Sequence, residues 1–130
     1  MELITPALRE RLLANGAIGD KADHFPVVKL FDPCSAATWL ITEISPEDPV
    51  IAFGLADLGL GHPEIGYISL EEIQAYRGRL NLGIERDLYF VARFPLSVYA
   101  DAARSRGRIV EAAETLSQIA RERGLDGSDQ

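Results

Sequence analysis

The sequence predicts an α+β domain: a small, mostly antiparallel sheet of about four to five strands packed with helices, including a long C-terminal helix. Three observations carry this. Two apolar runs are separated by Ser45-Pro46-Glu47-Asp48-Pro49, a turn signal at hairpin spacing. Ser69-Leu70-Glu71-Glu72 is a capping box that opens a helix. Apolar residues at 3–4 spacing then run from Tyr99 almost to the end. Strand and helix do not alternate regularly, which argues against a doubly wound parallel sheet. At 130 residues, 47% apolar and 25% charged, the chain has material for one core. We expect a single domain over residues 1–124 and a frayed tail at 125–130.

The elements follow in order. Thr5 caps a first helix with Pro6 at its first position; Leu8, Leu12 and Leu13 form its stripe, and Asn15-Gly16 ends it. Residues 17–24 read as a loop. Residues 27–31 form a strand broken by Asp32-Pro33. Residues 38–44 form the next, with Trp39 and Ile41 on one face and Leu40, Thr42 and Ile44 on the other. Residues 50–56 complete the hairpin. Residues 57–66, with Gly59, Gly61, Pro63 and Gly66, read as an irregular loop, and Tyr67-Ile68 as a short strand. The capped helix ends by Gly78, with Ile68 and Ile73 placed as a hydrophobic staple. Residues 87–92 read as a further strand. Tyr99, Ala102, Arg106, Ile109, Ala113, Leu116 and Ala120 mark the last helix, which Gly107 bends or splits and Gly124 closes.

Charge is polarised. There are 13 Lys+Arg against 20 Asp+Glu, a formal charge of -7. No Lys or Arg lies between Lys29 and Arg77, a stretch holding Asp32, Glu43, Glu47, Asp48, Asp57, Glu64, Glu71 and Glu72. Seven arginines follow from Arg77 to Arg108. The acidic excess argues against nucleic acid, which is bound through Lys and Arg. Arg104, Arg106 and Arg108 cannot share one helix face. The bland reading of the acids is solvation; the sharper one is docking of a basic partner protein or imitation of nucleic-acid phosphates, and a third puts the arginines on phosphates.

Single Cys34 makes no intramolecular disulfide and suits a reducing compartment. The N-terminus lacks a signal-peptide pattern and no apolar run reaches bilayer length, so we expect a cytoplasmic protein with no membrane partner. His62, near Asp57 and Glu64, matches no metal motif; a surface loop histidine is the ordinary reading, and His24 is similar. Cys34 with either histidine would make a thiol pair, against the commoner inert cysteine. Glu85 and Asp87 flank Arg86, as an acid–base pair or as charges that set strand register. The glycine loop carries no nucleotide fingerprint. The seam from Tyr99 to Leu116 packs back on the sheet or pairs with a second chain.

Phe53-Gly54-Leu55-Ala56-Asp57-Leu58-Gly59, Pro63-Glu64-Ile65-Gly66-Tyr67-Ile68-Ser69-Leu70 and Leu82-Gly83-Ile84-Glu85-Arg86-Asp87-Leu88-Tyr89-Phe90 resemble a bacterial family known as domain of unknown function 2958. Residues 27–31, Ala37-Thr38-Trp39-Leu40, Pro95-Leu96-Ser97 and Tyr99-Ala100 extend the match to roughly residues 25–108. The resemblance implies a small stand-alone cytoplasmic protein, often associated with plasmids and integrated mobile elements. It brings no activity, cofactor or catalytic set. In that family an aromatic often stands where this chain has His62, and the helix after about Val110 falls outside the pattern.

Two functions are expected. The first is a non-catalytic protein-interaction module, in defence or counter-defence, that binds an unidentified protein partner as a monomer or as a weak homodimer through the C-terminal helix. Its candidate binding residues are Trp39, Glu43, Glu47, Asp48, Asp57, Glu64, Tyr67, Glu85, Arg86 and Asp87. The alternative is a small hydrolase or transferase with a carboxylate site on the Asp57–Glu64 loop. We assign no catalytic residue, no metal site and no cofactor from the sequence.

Overall fold

The computed structural model describes residues 2–124. It has a five-stranded sheet in the order β4-β3-β2-β1-β5, every pair antiparallel. The strands are β1 Val28–Phe31, β2 Thr38–Ile44, β3 Ile51–Asp57, β4 Glu64–Ser69 and β5 Glu85–Arg86. The α-helices are α1 Pro6–Ile18, α2 Leu70–Ala75, α3 Leu96–Arg106 and α4 Ala113–Glu122. This is the expected α+β class. The tail at 125–130 lies outside the described residues.

Both faces of the central strands are apolar, so both need a cover. Ile41, Ile44, Ala52 and Ile68 pack with Leu12 of α1 and with Leu70 and Ile73 of α2. Leu40 and Leu55 pack on the other side with Tyr99, Ala102 and Ala103 of α3 and Leu116 and Ala120 of α4. The sheet is therefore sandwiched between helices; Tyr99, Ala102, Leu116 and Ala120 of the seam are buried in the chain's own core, and Ala113 is exposed.

Local chemistry explains the elements that match expectation. The Thr5 hydroxyl accepts from the Leu8 N–H at 3.2 Å, and the Ser69 hydroxyl accepts from the Glu72 N–H at 3.2 Å. Ile68 and Ile73 are both buried in the first core, as a staple requires.

Three expectations are corrected. Helix α1 does not stop at Gly16. It runs to Ile18 and ends on Gly19, at φ 69°. Gly16 is there for a close approach: a Cβ on it would lie 1.9 Å from the Ile44 carbonyl oxygen.

Residues 57–66 are not a loop. Strands β3 and β4 continue the meander, pairing Ile51 with Ser69 through to Ala56 with Glu64. Only residues 58–63 connect them, and Gly59 and Gly61 supply φ 79° and 87°.

Residues 87–92 form no strand. The Asp87 N–H still donates to the Lys29 carbonyl of β1 at 3.0 Å, but its carboxylate accepts from the Tyr89 N–H at 2.9 Å, which turns the chain away from β1 after Asp87. Leu88, Tyr89 and Val91 are left exposed. The C-terminal helix is split at Gly107, as the sequence allowed. Gly107, at φ 74°, ends α3 with a bond to the Ala103 carbonyl.

Gly16→Ala tests the first correction. In an open helix the change gains about 0.5–1 kcal/mol. Here it forces α1 off β2, and we expect a loss of about 1–3 kcal/mol. Urea unfolding of the variant beside the wild type measures the sign.

Candidate functional site

The sequence candidates do not converge on one spot. Register decides which of them meet, because directly opposed residues share a face. Strand β2 carries a bulge: Ile41 pairs with Gly54, but Glu43 pairs with Phe53, leaving Thr42 unopposed. The Thr42 hydroxyl donates to the Phe53 carbonyl at 3.1 Å, and its carbonyl accepts from the Asn15 side-chain amide at 2.9 Å. Strict alternation puts Ile44 with Leu40. The bulge puts it instead with Ile41 on the α1 side. Glu43, Phe53 and Tyr67 then form one row across β2, β3 and β4.

That row floors an open groove of about 570 Å³. Its wall is the turn after α1, with Asp20, Lys21, Asp23 and His24, and its far end is Leu96 and Ser97 of α3. Glu47, on the hairpin, completes the rim. The Phe53 and Tyr67 rings meet edge to face at 5.5 Å, and Tyr67 is 81% exposed.

The wall is held by its own bonds. His24 Nε2 lies 2.9 Å from the Gly19 carbonyl oxygen, to which it donates, and 3.9 Å from Glu43. The Leu96 N–H donates to the His24 carbonyl at 2.9 Å. Asp23 accepts from the N–H and hydroxyl of Ser97, so a residue distant in sequence caps α3. Asp20, Asp23 and His24 were missed as groove residues. Their only sequence signal is an acidic cluster in a segment read as a plain loop.

Burial raises the Glu43 pKa above the ordinary 4.5; His24 draws it back, and Asp20 adds to the rise.

The remaining candidates sit elsewhere. Asp48 lies on the exposed hairpin turn, where its N–H donates to the Ser45 hydroxyl at 3.2 Å. Asp57 is 4% exposed and accepts from the N–H groups of Gly59 and Ile109, each at 2.9 Å. Glu64 is exposed; it pairs with Ala56, the neighbour of Asp57, so the two carboxylates point to opposite faces. Glu85 opposes Phe31 on β5. Arg86 donates to the carbonyls of Glu2 and Leu3 at 2.5 and 2.8 Å. Asp87 lies 3.4 Å from Lys29, which also binds Glu111 at 2.6 Å.

Trp39 is on the α1 side, half-buried, in a second groove of about 510 Å³ with Ala56, Leu58, Ile73 and Tyr76. Asp32 borders that groove but is spent on the Cys34 N–H, the Ser35 hydroxyl and the Tyr76 hydroxyl. The Cys34 N–H is the main reason its pKa is lowered. His62 is exposed.

Among the described residues no cluster of three or more His, Cys, Asp or Glu is arranged to hold a metal ion. No helix among them is long and apolar enough to cross a membrane.

A family model described as "Protein of unknown function (DUF2958)" matches residues 3–110. The match ends before α4. Searches of curated proteins and of solved structures return no match.

Two variants probe Glu43 in the groove and Asp57 outside it. A raised native pKa means the folded chain holds the Glu43 proton more tightly than the unfolded chain does. Ionised Glu43 therefore opposes folding above its native pKa, and the penalty is gone below the unfolded value. Glu43→Gln should raise Tm at pH 7, and the gain should vanish near pH 4; melts at both pH values check this. Asp57→Ala should cost about 1–3 kcal/mol by orphaning two N–H groups, read by urea unfolding.

Proposed function

The chain belongs to the DUF2958 family, and from its acidic groove we propose that it is a non-catalytic protein-interaction module for a basic partner. One observation carries this reading. Four acids, Asp20, Asp23, Glu43 and Glu47, line one groove in which Lys21 is the only Lys or Arg. Asp23 is committed to α3, which leaves Asp20, Glu43 and Glu47 to meet a partner's cations. An Arg or Lys lying over the exposed Tyr67 ring gains a further cation–π term of about 0.5–1 kcal/mol. Tyrosine is also, with Trp and Arg, one of the residue types enriched among those that carry most of the binding energy at interfaces.

The setting we assign, on the family resemblance alone, is the cytoplasm and a mobile element's defence or counter-defence against its host. Asp48 extends the acidic rim along the hairpin. A hydrolase or transferase at Asp57 and Glu64 has no comparable support, since these carboxylates point to opposite faces and Asp57 is consumed by main-chain donors.

Affinity capture with the intact chain as bait tests the proposal. We expect one stoichiometric protein, retained after nuclease treatment and weakened by raising salt, because exposed charge pairs are screened over about 8–10 Å. Glu43→Lys, Glu47→Lys and Asp48→Lys together should abolish its recovery, with circular dichroism confirming the fold. Equal recovery by the triple variant would sink the reading.

A further inference from the structure

Strand β4 is an edge of the sheet, and its main chain faces outward at chosen positions. The Leu70 N–H donates to the Val50 carbonyl at 2.8 Å, one step beyond the Ile51–Ser69 pair. Antiparallel pairs alternate between hydrogen-bonded and non-hydrogen-bonded. Ala52–Ile68, Gly54–Gly66 and Ala56–Glu64 are therefore the bonded pairs of β3 and β4. Leu55–Ile65 and Phe53–Tyr67 are not.

The other side of β3 agrees. The Ile51 and Phe53 carbonyls are engaged toward β2, by the Ser45 N–H at 2.9 Å and the Thr42 hydroxyl at 3.1 Å. The N–H and C=O groups of Ile65 and Tyr67 consequently point away from the sheet. Among the described residues β4 pairs with no strand but β3, and no turn or loop main-chain bond reaches these groups.

Little in the strand blunts this edge: Glu64, at its start, is its one charged residue. Glu64–Ser69 contains no Pro, no Lys and no bulge, and Ile65 and Tyr67 are 43% and 81% exposed. Proteins ordinarily protect such edges with one of those devices. The opposite edge, β5, is only two residues long.

Charge selects the occupant. Glu64 begins the strand, Glu71 and Glu72 follow it, all three are exposed, and no Lys or Arg occurs from residue 30 to 76. A second copy would bring the same acids, and a further charge of -7, against them. We propose that β4 docks an extended segment of a partner protein, bearing Arg or Lys at alternate positions, as an added strand. Side chains on one face of that strand reach Tyr67 and the groove; those on the other reach Glu64. This rests on the interaction-module reading and names its partner's chemistry and pose.

The test uses the intact, isotope-labelled chain and three synthetic nine-residue peptides. The first alternates Arg with Val, the second is the same peptide N-methylated at every residue, and the third has Glu for Arg. We expect the first to slow hydrogen exchange of the Ile65 and Tyr67 amides about tenfold or more, while Gly66 and Ile68 are already protected. The N-methylated peptide keeps every charge but donates no main-chain bond, and should bind at least about tenfold more weakly. The Glu peptide should not bind. Ile65→Pro removes an outward N–H and no bond to β3, so it should keep the fold and lose the first peptide.

Equal binding of the methylated peptide, with unchanged exchange at Ile65 and Tyr67, would overturn strand addition and leave the groove reading standing. Protection of both amides without peptide, with a doubled mass in solution, would show a second copy on the edge and overturn the proposal. Failure of the Arg–Val peptide at millimolar concentration would also overturn it. The groove reading is judged separately, by recovery of the native partner with the triple charge reversal.

Discussion

The extra residue at Thr42 is the constraint on which the site depends. Strand β2 has apolar side chains on both faces and must serve two cores. Without the bulge, Glu43 would point at α1 and Ile44 at the groove. With it, Ile44 meets Leu12, and Glu43 stands in the row with Phe53 and Tyr67. The bulge is pinned from both sides, by a hydroxyl to β3 and by the Asn15 amide from α1. Asn15 can reach because Gly16 lets the helix sit directly on the Ile44 carbonyl. One small residue, one amide and one hydroxyl together orient the acidic face.

A second fastening works at the other end of the sheet. Asp57 closes β3 and accepts from Ile109, in the link between α3 and α4. Gly107 frees that link by ending α3. The two helices can then fold onto Leu40 and Leu55 from one side. A buried carboxylate is costly unless donors surround it, and two main-chain N–H groups meet that need. Asp57 is better understood as a structural tie than as chemistry.

The helices cover the sheet unevenly, and this makes the surface. Helices α3 and α4 close over Leu40 and Leu55, but the row at Glu43, Phe53 and Tyr67 stays open beside the turn after α1. The open row ends at β4, whose outer main chain is unpaired among the described residues. An apolar floor, acidic walls and a free sheet edge are thus contiguous. An extended cationic segment can satisfy all three at once, whereas a compact solute can satisfy only the first two.

Much of the fold was legible in the sequence. The Thr5 and Ser69 caps, the limits of β2, the hairpin at 45–49 and the α+β class were all written in local chemistry: capping hydroxyls, proline and short-range alternation. The polarised charge was legible too, and it named Glu43 and Glu47, while Tyr67 came from the family resemblance. Most of what failed depended on distant partners. Helix α1 continues past Gly16 with a strand carbonyl lying against it. Residues 87–92 are the local exception: the Asp87 carboxylate accepts from the Tyr89 N–H two residues on, a turn that alternation hides. Alternation cannot reveal a bulge, since the surplus residue is defined only against the opposing strand. Nor could it reveal that Asp57 and Glu64 face apart, or that Asp20, Asp23 and His24 join Glu43. Local propensity belongs to a few neighbouring residues and is written in the chain. Which faces meet is set by register and by helix placement, and those exist only once the strands have paired.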